Sequence, residues 1–231
     1  MFTLGAFRRL EASEAFDSGD LDASQGLAIY DFKTGALAPL PGAASPDYDA
    51  TYPSWSPDGA HIAFQRYRYP GRRDICVVPY NGGRGGAARP LRGASGNGWD
   101  NYFPEYSPDG RWIAFTRADA SGGFFARDSS AIYLVPARGG TARRLEFNAE
   151  GRMNSWHSWS SDSRWLLYSS KRDGIGTRAY IARIYEDGRA GMPVPLDCGT
   201  GAFARVNMPV WIKKGGLAPI SFDEFEAPSG L

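Results

Sequence analysis

The sequence reads as an all-β protein built from repeated units, and three observations carry that reading. A thirteen-residue phrase recurs along the chain, short apolar runs alternate at period two, and Gly, Pro, Asp and Asn punctuate the gaps between them. The phrase runs Tyr52-Pro-Ser-Trp-Ser-Pro-Asp-Gly-Ala-His-Ile-Ala-Phe64, then Phe103-Pro-Glu-Tyr-Ser-Pro-Asp-Gly-Arg-Trp-Ile-Ala-Phe115, with a looser third copy from Trp156 to Tyr168. Its aspartates, Asp58, Asp109 and Asp162, lie 51 and then 53 residues apart. Strand-like pieces repeating at such a period mark a repeat architecture. With 29 Gly and 16 Pro in 231 residues, the composition suits short strands joined by tight turns rather than helices.

Each unit resolves into four strands. In the second unit, Pro53 to Ser56 is a short alternating strand, and Pro57-Asp58-Gly59 is a turn in which Pro presets φ and Gly accepts a positive φ. His61 to Arg66 follows with Ile62 and Phe64 on one face, then Asp74 to Pro79, a hairpin turn at Asn81-Gly82-Gly83, and an outer strand from Ala87 to Leu91. The third unit repeats this order through Trp112 to Arg117, Ser130 to Pro136 and Ala142 to Leu145. The fourth does so through Trp165 to Ser169, Ala179 to Tyr185 and Pro193 to Leu196. Four antiparallel strands per period, with nothing helical between them, describe the blade of a β-propeller. A lone blade has two apolar faces, and stacking in series buries both.

The ends complete a single domain over residues 1–231. Thr3 to Arg8, Gln25 to Phe32 and Ala36 to Leu40 supply three strands of a first blade. Asn207 to Trp211 matches the start of the repeat, with Trp211 lying 52 residues after Trp159. Blade one therefore comprises about 1–40 plus 207–212, blade two 52–91, blade three 102–145 and blade four 155–196. A ring of about four blades closed by the two ends removes exposed sheet edges. The alternative is part of a six- or seven-bladed ring.

The phrases Trp55-Ser-Pro-Asp-Gly-x-x-Ile-Ala-Phe64 and Tyr106-Ser-Pro-Asp-Gly-x-x-Ile-Ala-Phe115 resemble the repeats of the TolB-type propeller family, which are close to WD repeats. The segment from Met153 to Leu196 looks like a bacterial cell-envelope subgroup. No stretch reads as that family's separate N-terminal α/β domain. The resemblance, over residues 25–212, implies a periplasmic, protein-binding, non-catalytic module that serves as a scaffold or subunit of a larger envelope assembly.

Composition narrows the partners. A net charge of +1 argues against nucleic acid, and no apolar run reaches the roughly 18 residues that span a bilayer. The start, Met1 to Leu10, places its basic residues after the apolar ones, so an exported protein is expected here in mature or trimmed form. The expected partners are proteins of a larger, membrane-associated complex. Arg supplies 22 of the 26 basic residues, which fits the Ala- and Gly-rich composition as well as any function.

No catalytic constellation stands out, and neither cofactor nor metal is expected. Asp58, Asp109 and Asp162 recur with the fold, so they read as turn residues. Cys76 and Cys198 fall in different repeats with no CxxC pair. Asp17, Asp20 and Asp22 lack the Gly and distal Glu of an EF-hand loop. His61 sits where other units have Arg111 and Arg164, an ordinary alternating position. His157 occupies the slot of Pro53, Pro104 and Pro209 on the innermost strand, which sets it apart either as a site or as a hydrogen-bonded channel residue. Carboxylates converging at the channel mouth would instead suit a lyase or glycosidase. The non-catalytic cap of a larger hydrolase is the remaining reading.

The surface expected to bind a partner lies where loops enter the innermost strands. Trp99, Asp100, Asn101, Asn154 and His157, with Arg68, Arg72 and Phe124 from the long loops, form the candidate set. Aromatics with Arg, Asp and Asn at a concave rim are what protein interfaces use. Tyr52, Phe103, Trp156 and Met208 are expected to pack between blades.

Overall fold

Period-two alternation places successive residues of each strand on opposite faces, and the computed structural model shows what those faces meet. It describes the backbone of residues 6–8, and residues 26–31, 33–68, 70–119, 127–196 and 209–211. The strands among them are β1 (Ala6–Arg8), β2 (Leu27–Asp31), β3 (Ala36–Pro39), β4 (Asp49–Trp55), β5 (His61–Tyr67), β6 (Arg73–Pro79), β7 (Arg89–Pro90) and β8 (Asp100–Tyr106). They continue as β9 (Trp112–Ala118), β10 (Ala131–Pro136), β11 (Arg143–Arg144), β12 (Asn154–Trp159), β13 (Trp165–Ser170), β14 (Arg178–Arg183) and β15 (Val194–Pro195). Three four-stranded antiparallel sheets follow in chain order, β4 to β7, β8 to β11 and β12 to β15, preceded by a three-stranded sheet of β1 to β3. These sheets are the blades of a propeller with about four blades.

The core lies between blades. Ile62 and Phe64 of β5 pack with Leu27 and Ile29 of the first blade, while Ala63 between them turns to Ile113 and Phe115 of the third. Ala114 in turn faces Leu166, Tyr168 and Tyr180 of the fourth blade. Each Ile-Ala-Phe triplet thus sends two large side chains to the preceding blade and one methyl to the next. Burying each Ile or Phe stabilises the stack by about 1.5–3 kcal/mol.

The Ser-Pro-Asp-Gly turns are built alike. Ser56 Oγ donates to Asp58 Oδ1 at 2.5 Å and accepts His61 N–H at 2.9 Å, while Ala60 N–H reaches the same carboxylate at 2.9 Å. Ser107 with Asp109 and Ser160 with Asp162 make the same pair, at 2.6 Å each. The Ser hydroxyl, followed by backbone N–H donation, holds the Asp58 and Asp162 carboxyls below the usual range. At Asp109 burial pulls upward, but bonds from Ser107 and Arg111 outweigh it. The aspartates are turn residues, as expected.

The innermost strands are longer than the sequence suggests. The reading began a strand at Pro53, whereas β4 starts at Asp49 and passes through a bulge between Thr51 and Ser54. The same shift occurs between Tyr102 and Glu105 and between Ser155 and Ser158. Tyr52, Phe103 and Trp156 sit in these bulges with φ of 53°, 53° and 52°. Pro53 and Pro104 are tolerated because an innermost strand has no ladder partner on one side.

The outer seams use glycine. A side chain on Gly42 (φ 89°) would lie 1.7 Å from Gly86 O, and one on Gly93 (φ 95°) 2.1 Å from Gly140 O. Backbone bonds fix these seams: Gly86 N–H to Pro41 O at 3.1 Å, and Gly140 N–H to Arg92 O at 2.9 Å.

Of the expected fourth strand of the first blade, only Pro209, Val210 and Trp211 are among the described residues, and they carry no ladder pairing there. Residues 207, 208 and 212 lie outside the described residues, as do Asp17, Asp20, Asp22 and Cys198. Cys76 is buried as a free thiol, and burial pushes its pKa up to about 11.

Candidate functional site

Two neighbouring loops are knitted together where chains enter the innermost strands. Asp100 opens β8 and accepts Arg73 N–H at 2.9 Å, and its other oxygen pairs with the Arg73 guanidinium at 3.4 Å. Asn101 Nδ2 donates to Arg73 O at 3.1 Å and to Trp99 O at 3.2 Å. Asn97 Oδ1 accepts Trp99 N–H at 3.1 Å, and Ser95 Oγ donates to Ile75 O at 2.5 Å. The loop of residues 92–99 is therefore tied to β6 of the preceding blade. Arg73 also lies over the rings of Tyr67, at 4.1 Å, and Tyr102, at 5.4 Å. The loops bearing Arg68, Arg72 and Trp99 leave the fold side by side on this frame.

The structure sorts the expected binding residues by depth. Trp99 (45% exposed), Arg68 and Arg72 present their side chains outward. Asp100, Asn101 and Asn154 do not: they are 2%, 0% and 0% exposed, so their expected place on the binding surface is corrected. Asn154 Nδ2 donates to Ala149 O at 3.0 Å and Arg152 O at 2.8 Å, while its Oδ1 accepts Ser170 Oγ–H at 2.9 Å. Asn101 and Asn154 occupy the same repeat position, and each clamps the loop that precedes its strand. That recurrence was the signal that marked them as structural. Phe124 lies outside the described residues.

The second feature is a cavity of about 350 Å³ on the axis where the innermost strands converge. The same positions of each strand line it: 52–54 of β4, 103–105 of β8, 156–157 of β12, and Pro209 with Val210. The left-handed residues build its aromatic wall, with Tyr52 edge-on to Phe103 at 4.5 Å and Phe103 stacked on Trp156 at 4.1 Å. Holding non-glycine residues at such φ values costs about 1–3 kcal/mol each, which the packed rings and the bulged ladder offset.

Two polar residues break the symmetry of this lining. His157 stands among prolines, and Glu105 stands where other strands carry Ser54, Ser158 and Val210. His157, expected at the partner surface, is nine-tenths buried, and neither ring nitrogen makes a hydrogen bond among the described residues. Burial pulls its pKa down to about 4 against the weaker pull of the Ala114 and Phe103 backbone, so the ring is neutral at pH 7. Burial pushes the Glu105 carboxyl up to about 7, opposed by Trp159 N–H, which reaches Oε1 at a long 3.4 Å. Sequence reading singled out His157 and missed Glu105, although the same comparison between units exposes both.

At the other end of the innermost strands, wider clefts run along the seam of the second and third blades, flanked by Asp58, Asp109 and Arg138. Among the described residues no group of three His, Cys, Asp or Glu side chains is placed to hold a metal ion. No helix there is long and apolar enough to cross a membrane.

No protein-family model matches the chain, and no curated protein matches it. Solved structures do. TolB from Acinetobacter baumannii superposes with a TM-score of 0.60 at 20% identity, over 83% of this chain and 40% of that one. A putative TolB from Agrobacterium tumefaciens gives 0.51 at 20% identity, over 75% and 60%. An oligogalacturonate lyase in complex with manganese gives 0.52 at 16% identity, over 75% and 49%. The chain thus spans less than two thirds of the length of each. At these identities the likeness establishes architecture alone, and that architecture is a β-propeller.

Proposed function

We propose that this chain is a non-catalytic, protein-binding propeller that serves as a scaffold within a periplasmic or envelope assembly. The observation that supports it best is the rigid rim, where Asp100 and Asn101 are consumed inside the fold to fix the loops carrying Trp99, Arg68 and Arg72. An exposed tryptophan beside two arginines on a preorganised frame is the composition of an interface hot spot, because little ordering entropy remains to oppose binding. The TolB-like architecture agrees with this reading, and so does an axial cavity whose lining, among the described residues, holds a single carboxylate, where glycosidic hydrolysis would use two.

The test is affinity capture from envelope extract with the full chain, read by mass spectrometry, beside a Trp99→Ala/Arg72→Ala double variant of unchanged thermal stability. The expected result is a partner from the envelope whose capture by the double variant falls at least about tenfold, in line with the loss of two hot-spot side chains. Equal capture by both proteins would remove the rim from the interface.

A further inference from the structure

The axial cavity has no part in the rim described above, yet its chemistry is specific. Its walls are the faces and edges of Tyr52, Phe103 and Trp156, together with proline rings. In this apolar surround stands one carboxylate, Glu105, with no cationic partner among the described residues: its one hydrogen bond there is the long one from Trp159 N–H. The second polar group, His157, is nine-tenths buried, its ring nitrogens sealed from solvent beside the Ala114 and Phe103 backbone without a well-formed hydrogen bond. Glu105 is half-buried in this apolar lining, and a carboxylate there is costly to ionise unless a charge of opposite sign comes to meet it. Neither side chain is required by the architecture, because the equivalent positions of the other strands do without them.

We infer that this cavity binds an organic cation, a primary ammonium or guanidinium group on an aliphatic stem. The carboxylate neutralises the charge, and the aromatic rings attract the cation through their faces while covering its stem. A cavity of about 350 Å³ holds a group the size of a lysine side chain. An anion is disfavoured by Glu105, and a neutral apolar guest leaves the carboxylate unmet. The same chemistry arises from a free amine or from a basic side chain of a protein, and the test separates the two.

The titratable groups that share the cavity with Glu105 are Tyr52 on β4 and His157 on β12, and His157 is neutral above pH 5. Among the described residues no charged side chain acts on Glu105. The Glu105 carboxyl is therefore a clean reporter. Its titration is followed by carbon-13 NMR in the full chain, alone and with butylammonium, with the blocked tripeptide acetyl-Gly-Lys-Gly-amide, or with butanol. The carboxyl alone is expected to titrate near 7. At tenfold excess over its dissociation constant, butylammonium should lower that midpoint by about one unit, because it binds the ionised form. Butanol should leave it unmoved, and Glu105→Gln should abolish butylammonium binding while keeping the fold. A shift with the tripeptide as well identifies a side-chain pocket, and a shift with butylammonium alone identifies a small-amine site. An unmoved midpoint with either cation, an equal effect of butanol, or undiminished butylammonium binding by Glu105→Gln overturns the inference.

Discussion

Ser163 stands where the other two turns have Gly59 and Gly110, and it holds the left-handed φ of 61° that glycine adopts freely. Its hydroxyl explains the exchange, since Asp109 N–H donates to Ser163 Oγ at 2.9 Å and links two blades. Glu105 and His157 are the other residues that depart from their repeat, and their buried pKa values make opposite demands on stability. The folded chain holds Glu105 near 7 against an ordinary 4.5, so it binds that proton more tightly than the unfolded chain does. The resulting stability is complete below pH 4.5 and is lost as pH rises through 7. His157 is held near 4 against an ordinary 6.5, so its contribution is present above 6.5 and is lost as pH falls through 4. The two slopes oppose each other across the same window. Glu105→Gln is therefore expected to become less stable relative to the parent as pH falls from 7 to 4.5, and His157→Pro less stable relative to the parent as pH rises from 4 to 6.5. Each change should be about 2 kcal/mol, read by urea denaturation at several pH values. Parallel stability profiles for parent and variants would mean that neither group is perturbed. The sequence shows both residues as departures from a pattern, but it cannot show how deeply their side chains are buried, which depends on rings three blades contribute together.

At the level of strands, the repeat made turns and blade order readable, because a Ser-Pro-Asp-Gly turn writes its own hydrogen bonds into four consecutive residues. Strand starts were less readable. Tyr52-Pro53 looks like a break, and only the bulge with its left-handed aromatic lets the strand run through it. A recurrent bond also bears on ring closure. Trp159 Nε1–H donates to Glu105 O at 3.2 Å, and Trp211 Nε1–H donates to Ser158 O at 3.1 Å. Each tryptophan thereby binds the carbonyl just before the matching residue in the preceding blade. Trp55 holds the same position in the second blade, and its buried Nε1 has no partner among the described residues. A ring closed at four blades requires Val210 O to fill that place, since Val210 precedes Trp211 as Glu105 precedes Tyr106. Closure therefore predicts a scalar coupling across a hydrogen bond from Trp55 Nε1 to the Val210 carbonyl carbon, with the Trp159 to Glu105 coupling as its internal control. A visible control with no Trp55 coupling would favour the larger ring.

For the molecule as a whole, stacking explains why the fold was legible: the Ile-Ala-Phe triplets bury their two faces against different neighbours, and only a series of blades accomplishes that. The rim was half legible. Trp99, Arg68 and Arg72 face outward as expected, whereas Asp100, Asn101 and Asn154 turn inward, because the loops they belong to need internal donors and acceptors more than the solvent does. Residue type alone does not distinguish those roles, but recurrence at one repeat position does. The repeated residues build the propeller, and the rim loops that differ between blades are where a partner is expected to dock. Hydrogen–deuterium exchange on the full chain with its captured partner tests this most directly. Protection is expected over residues 68–73 and 95–99, with the turns around Asp58, Asp109 and Asp162 unchanged. Protection confined to those turns, with the rim loops unaffected, would contradict it.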